Sequence, residues 1–360
     1  MATRVLEEVV LSDILDGATI LAAGGGGPVQ AGRSLLNSMI TRKLFPKLIP
    51  LEEVSDSARV AVPIAMGSCA TLLENFLDFQ MVGALETYRK IVGSIDALIP
   101  VETGQINTLA VLYTAAKTNL PVIDADGTGR SIPEFKNTVF YSRKANPNPF
   151  VMYDSARNNV TINASSLDEI DRLGRTICTE MGGLCGAAGI DVSGAMVKEI
   201  AVPETISQCE RLGRVLRHNR DKDPVSALVN EGGGFLLMRG LIEKIESKVA
   251  HGHDYGSLTV SGLGKERNRR VRIGFKNEGL VAYRDNKPAV ISPDHIFMLD
   301  LFTHMPVTFT DAVEGLALAV IAFRAHPKRR TPADYDGFRA SLRDVGYTGE
   351  YVPVEELLAE

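Results

Sequence analysis

The sequence predicts an α/β N-terminal domain with a mostly parallel sheet, plus a second domain that is α+β or β-rich. Three observations carry this expectation. In the first half, short apolar runs alternate with segments of helical periodicity, the pattern of strands joined by crossover helices. From about Asn137 onward the runs become short, closely spaced and strand-like. The length of 360 residues corresponds to about two domains of roughly 100 to 200 residues each. The boundary is expected near residue 165, giving domains 1-165 and 166-360.

Element by element, Val5 to Ala22 has helical periodicity and stops at the breaker Gly24-Gly-Gly-Gly27. Pro28 suits the first turn of a helix over Val29 to Thr41. Ala58 to Ala65 reads as a strand, closed by the small-residue turn Met66 to Thr71. Leu72 to Val92 reads as a helix, with Phe76, Phe79, Val82, Leu85 and Ile91 among its apolar positions. A strand near Leu98, a helix from Thr108 to Lys117 and a strand at Val122 complete the series. Val139 to Ser142, Phe150 to Tyr153 and Asn159 to Asn163 then look like short antiparallel strands. Ser166 to Met181 reads as a helix, with Ser165 or Ser166 as N-cap, Asp168 and Glu169 in the first turn and Gly182-Gly183 as C-cap. Helices follow over Thr205 to His218 and within Asp223 to Ser247, despite Gly232 to Gly234. The remainder is strand-rich: Tyr255 to Leu263, Arg269 to Phe275, Leu280 to Arg284, Ala289 to Ile291, Phe297 to Asp300 and Val307 to Thr310.

Composition narrows the function. A net charge of -5 and a pI near 5.8 argue against a nucleic-acid binder, which shows a concentrated basic stripe. No apolar run nears the roughly 18 residues of a membrane span; the best, Leu316 to Phe323, is far shorter. Val5 to Leu11 is interrupted by two glutamates, so no signal peptide is expected. Four cysteines without Cys-x-x-Cys spacing give neither a disulfide framework nor a zinc knot, and a reduced, cytoplasmic protein is the expectation. The expected partners are a small-molecule substrate and further copies of the chain, with no nucleic acid and no membrane.

Two polar loops follow apolar runs: Glu102-Thr-Gly-Gln-Ile-Asn107, and Asp124-Ala-Asp-Gly-Thr-Gly-Arg-Ser-Ile-Pro-Glu134. Loops past the C-terminal ends of strands are where ligands bind in open α/β sheets. Glu102, Asp124 and Asp126 are therefore candidate catalytic carboxylates, with Glu102 or Asp124 as general base. Asn107 and Gln105 are candidate contacts to a ring amide or carbonyl, and Arg130 to a substrate carboxylate; Glu134 completes the set. Gly26 and Gly27 precede a helix and suit an anion; a tight helix-to-helix corner explains them equally. Cys69, at a strand-to-helix turn, has the setting of a nucleophile or metal ligand, or of a small buried residue. His251-Gly-His253-Asp254 is the best metal-like cluster, with His251 and His253 as ligands for one divalent metal such as zinc. A polar hairpin is the plainer reading. No nucleotide cofactor is expected.

Together these segments resemble the S-methyl thiohydantoin desulfurase family. The glycine run, the Glu102 to Asn107 loop and the Asp124 to Glu134 loop carry the likeness in the first half. Met181-Gly-Gly183, Phe275-Lys-Asn-Glu278, Ser292-Pro-Asp294, Gly346-Tyr347 and Tyr351-Val-Pro353 carry it in the second. One departure is Gln105, where the family often has glycine. The resemblance implies a hydrolase acting at C2 of a five-membered imidazolone-type ring, converting S-methyl thiohydantoin to hydantoin and methanethiol. It also implies company with hydantoinase and oxoprolinase subunits. The alternatives are a hydrolase that opens the cyclic amide, and a non-catalytic accessory or binding subunit of a hydantoinase-like complex.

Overall fold

The computed structural model describes residues 2–67, 80–250 and 252–359. Its first layer is an eight-stranded mixed sheet in the order Arg4–Val5, Lys47–Ile49, Val122–Ile123, Ala97–Leu98, Arg59–Gly67, Leu184–Ser193, Phe150–Tyr153, Asn159–Ile162. The strands from Lys47–Ile49 to Arg59–Gly67 form a parallel centre, and antiparallel strands flank it on both sides. The helices Gln80–Val92 and Asn107–Thr118 supply the long connections that parallel neighbours require. The central strands are buried, which is why they read as apolar runs rather than alternating ones.

The second layer is an eight-stranded sheet whose pairings are all antiparallel. Its order is Lys287–Ile291, Glu278–Arg284, Arg270–Lys276, His253–Gly262, Phe235–Ala250, Ala317–Phe323, His295–Asp300, Pro306–Val307. The apolar stretch Leu316 to Phe323 is thus a buried strand, and no described helix is long and apolar enough to cross a membrane.

Three segments differ from their sequence expectation. Val139–Ser142 is a short helix rather than a strand, because the Thr138 hydroxyl accepts from Tyr141 N and closes a turn. The helical reading within Asp223 to Ser247 holds only for Pro224–Asn230, after which Phe235–Ala250 runs as a 16-residue strand. Leu184–Ser193, rich in glycine and alanine, is a ten-residue strand of the first sheet although it lies past residue 165. Its small residues have a packing reason. A Cβ on Gly186 would lie 2.2 Å from the Gln80 backbone, so only glycine seats the helix Gln80–Val92 against this strand.

The layers meet through the helices Glu8–Leu21 and Thr205–Asn219. A Cβ on Gly17 would lie 1.8 Å from the Cys209 carbonyl oxygen, and one on Gly213 would lie 1.9 Å from that of Asp13. The two glycines permit a backbone-to-backbone crossing, which Arg217 secures with a two-pronged bond to Asp13. One apolar cluster runs through the joint, from Leu11 and Ile14 to Phe297, Ile321 and Phe323 of the second sheet. Neither layer buries its apolar face alone.

Candidate functional site

A cavity of about 410 Å³ opens between the two layers. Its walls come from the glycine run, from the end of Arg59–Gly67, from the Glu102 to Asn107 loop and the Ile132 to Phe135 segment, and from the second-sheet residues Ile245, Ser247, Asp254, Phe275, Asn277, Glu278 and Phe309. The glycine run is fixed from the second sheet by backbone bonds: Gly279 N donates to Ala23 O and Phe309 N to Gly24 O, both at 2.8 Å. Gly24, Gly26 and Gly27 have φ of +78°, +70° and +84°, a region that side chains with a Cβ rarely enter.

At one end of the cavity stand two carboxylates, Glu102 and Glu278, both buried. The Ser131 hydroxyl lies 3.1 Å from Glu102 Oε2 and 3.0 Å from Glu278 Oε1. A hydroxyl has one proton, so both contacts are satisfied only when one of the carboxyls is itself protonated. Glu102 is the better solvated by protein. It accepts from Asn107 Nδ2 at 2.6 Å and from Ile132 N at 2.7 Å, and Asn107 is aimed by Ala65 N, which donates to its Oδ1 at 2.8 Å. Glu278 accepts from Gly26 N at 3.2 Å, and its Oε2 has no partner among the described residues. Burial pushes Glu102 up to about 7, against the pull of its three donors. Burial and the neighbouring Glu102 charge push Glu278 up to about 8. The shared hydroxyl and the two upward shifts both favour a state in which a carboxyl of the pair keeps its proton, Glu278 with fewer donors more readily than Glu102.

At the other end, Glu134 is held down to about 2 by Lys276 and Lys136, each 2.9 Å away. Arg175, also on the wall, donates to Asp171 Oδ1 and to Pro133 O, each at 2.7 Å.

The structure redistributes the residues singled out from sequence. Glu102, Asn107, Glu134, Gly26 and Gly27 line the cavity. Asp124 does not; it accepts from Ile206 N and Ser207 N, and so caps the helix Thr205–Asn219. Asp126 turns into its own loop, accepting from Thr128 N, Gly129 N and the Thr103 hydroxyl. The bonds from Thr128 N and Gly129 N make Asp126 the acceptor of an Asx-type turn. Arg130, expected at a substrate carboxylate, is fully buried and directs its donors to the carbonyls of Ser131, Gly279 and Asp294 and to the Ser292 hydroxyl. It staples the loop to the second sheet. Gln105 binds the glycine run rather than facing the cavity. His253 places Nε2 2.9 Å from Pro133 O, and burial with the nearby Arg175 and Lys276 charges lowers it to about 4. Among the described residues no group of three or more His, Cys, Asp or Glu is arranged to hold a metal ion. Cys69 and His251 lie outside the described residues.

Glu278 is the residue that sequence reasoning left without a role. Its segment stood out only as part of a family-like stretch; Asn277, with φ of +57°, turns the hairpin that carries it.

Comparison with known proteins agrees with this architecture. The S-Me-THD-like N-terminal domain matches residues 9–164 and the S-Me-THD-like C-terminal domain matches residues 165–354. The chain belongs to the S-Me-THD-like family. That family name denotes S-methyl thiohydantoin desulfurase and points to an enzyme. A crystal structure of a protein from Chromobacterium violaceum shares the fold of this family member, with a TM-score of 0.83 over 98% of this chain and 100% of that one at 22% identity. No curated protein matches the chain.

Proposed function

We propose that this family member is a hydrolase that converts an S-methyl thiohydantoin to the hydantoin and methanethiol, with Glu102 and Glu278 as its acid–base pair. The observation that carries the reading is the buried Glu102–Ser131–Glu278 contact on the cavity wall. Two carboxyls displaced toward neutrality and sharing about one proton suit a reaction that needs a base and an acid in the same step.

In the proposed sequence, ionised Glu102 takes a proton from water as its oxygen bonds to C2. The C2=N electron pair moves to the ring nitrogen, which takes the proton of Glu278. The tetrahedral carbon then collapses. Glu278 recovers a proton from the C2 hydroxyl, the carbonyl forms, the C–S bond breaks, and the departing sulfur takes the proton held by Glu102. Both carboxyls return to their starting states. Asn107 and Ile132 N hold the Glu102 carboxylate in place throughout. Phe275 and Phe309, stacked with centroids 4.3 Å apart, give the cavity an apolar side suited to a flat ring and a methylthio group.

The test is thiol release from S-methyl thiohydantoin propionate by purified protein, with and without chelator, followed by product analysis. Methanethiol and hydantoin in equal amounts, unaffected by chelator, are the expected result. Loss of turnover on chelation would assign water activation to a metal instead. A new carboxylate without thiol would identify a ring-opening hydrolase, and binding without turnover an accessory subunit.

A further inference from the structure

Gln105 is wholly buried, and a buried amide is stable only where its donors are met. Its Nε2 donates to two carbonyls of the glycine run, Gly25 O at 2.8 Å and Gly27 O. The Gly25 carbonyl and the Gly26 N–H belong to one planar trans peptide and point in opposite directions. That Gly26 N–H is the group that donates to Glu278 Oε1 at 3.2 Å. The two side chains therefore hold opposite edges of a single peptide plane. Steric distances agree: a Cβ on Gly25 would lie 2.3 Å from Glu278 Oε1, and one on Gly26 would lie 2.7 Å from Gln105 Oε1.

The arrangement needs holding. Glycines on both sides of the plane, with φ of +78° at Gly24 and +84° at Gly27, leave the backbone free to rotate its peptide units. Turned over, the Gly25–Gly26 unit would present a carbonyl to Glu278 in place of an N–H. A carboxylate would then face an acceptor, and only the protonated acid would be comfortable there. One amide bound to two carbonyls selects the orientation that serves both states.

We propose that Gln105 is a positioning residue for Glu278, acting through the Gly25–Gly26 peptide plane and touching no substrate. The inference rests on the reading of Glu278 as the acid of the pair, but its test does not depend on turnover. The charged and polar groups facing Glu278 are Glu102, Arg130, Ser131 and Gly26, and a substitution at Gln105 leaves the first three unchanged.

The experiment is a pH titration of the protonated-carboxyl infrared band in the full-length protein, with the Glu278 component identified by its disappearance in Glu278→Gln. In Gln105→Met, similar in length but without a donor, the upper step of the Glu102–Glu278 pair should move up by about one pH unit, the scale of one lost hydrogen bond to the charged form. Gln105→Asn, one methylene shorter and still polar, should move it the same way and serves if the methionine variant does not fold. A folded variant whose upper step coincides with that of wild type, whatever its melting temperature, overturns the inference and leaves Gln105 a packing residue. A shifted step in a protein that releases no thiol leaves this inference standing and removes the proposed reaction instead.

Discussion

Two acidic groups share the wall of one cavity and behave oppositely. Glu102 and Glu278 sit together, buried and without a hydrogen-bonded cation, and both are displaced upward. Glu134, reached along the same chain segment, meets two lysines and the Ser341 hydroxyl and is displaced downward. Residue type and cavity are the same; the facing groups differ, and Glu134 is the less buried. Burial without a hydrogen-bonded counter-charge favours the neutral acid, and a hydrogen-bonded counter-charge favours the anion. One end can therefore exchange protons near neutral pH, while the other is a permanent charge that ties the Ile132 to Phe135 segment to Lys276 and, through it, to Asp344.

The largest test of this contrast is a matched substitution. Glu278→Gln and Glu102→Gln should each lower kcat by roughly 10²- to 10⁴-fold, the usual contribution of a positioned acid or base, whereas Glu134→Gln should leave kcat within a few-fold. Equal losses at the two ends would erase the distinction. Next in size is Lys276→Met, which leaves Glu134 and Asp344 facing each other without the ammonium between them. Glu134 keeps Lys136 and Asp344 is exposed, so the loss should be about 2 kcal/mol, the scale of hydrogen bonds to charged groups, read as a fall in the denaturant midpoint.

The pH dependence of stability sharpens the comparison further. Glu102 and Glu278 have folded-state values near 7 and 8, above their ordinary 4.5, so the stability they contribute is present in acid and lost as pH rises through 7 to 8. Glu134, with a folded-state value near 2 against the same 4.5, contributes stability above 4.5 that is lost as pH falls toward 2. Between pH 5 and 9 the wild type should lose stability steadily, and chemical denaturation of Glu278→Gln should show a flatter curve. The smallest effect is expected away from both clusters. Asp124→Ala removes the acceptor that caps the helix Thr205–Asn219; it should cost about 1 kcal/mol and leave kcat unchanged. A large loss of turnover would return Asp124 to the chemistry.

Part of this was legible beforehand. The Ser166 cap was readable because capping is local: its hydroxyl meets Glu169 N three residues on. The second-domain strands from Arg270–Lys276 to His295–Asp300 were readable because turn residues bound short apolar runs. Leu184–Ser193 was not, since its glycines look like breakers until the Gln80–Val92 helix that needs their small size is packed against them. Phe235–Ala250 was not, because its pattern of apolar and charged residues suits a helix or a strand about equally, and the pairing with His253–Gly262 decided it.

The candidate site divides along the same line. The sequence by itself determined that Glu102, Asn107 and Glu134 lie in loops past strands and that the glycine run breaks between two helices, because apolar runs and loop residues are read over a few positions. It could not rank the carboxylates. Glu102, Asp124, Asp126 and Glu278 are chemically alike, and their roles depend on which donors and charges the fold brings to them from distant segments. Tertiary structure gave Asp124 a helix end, Asp126 its own loop, and Glu102 and Glu278 a shared hydroxyl in a buried corner of the cavity. The proton affinity of a carboxyl is set by desolvation and by the charges around it, and those are properties of the packed chain, not of the residue.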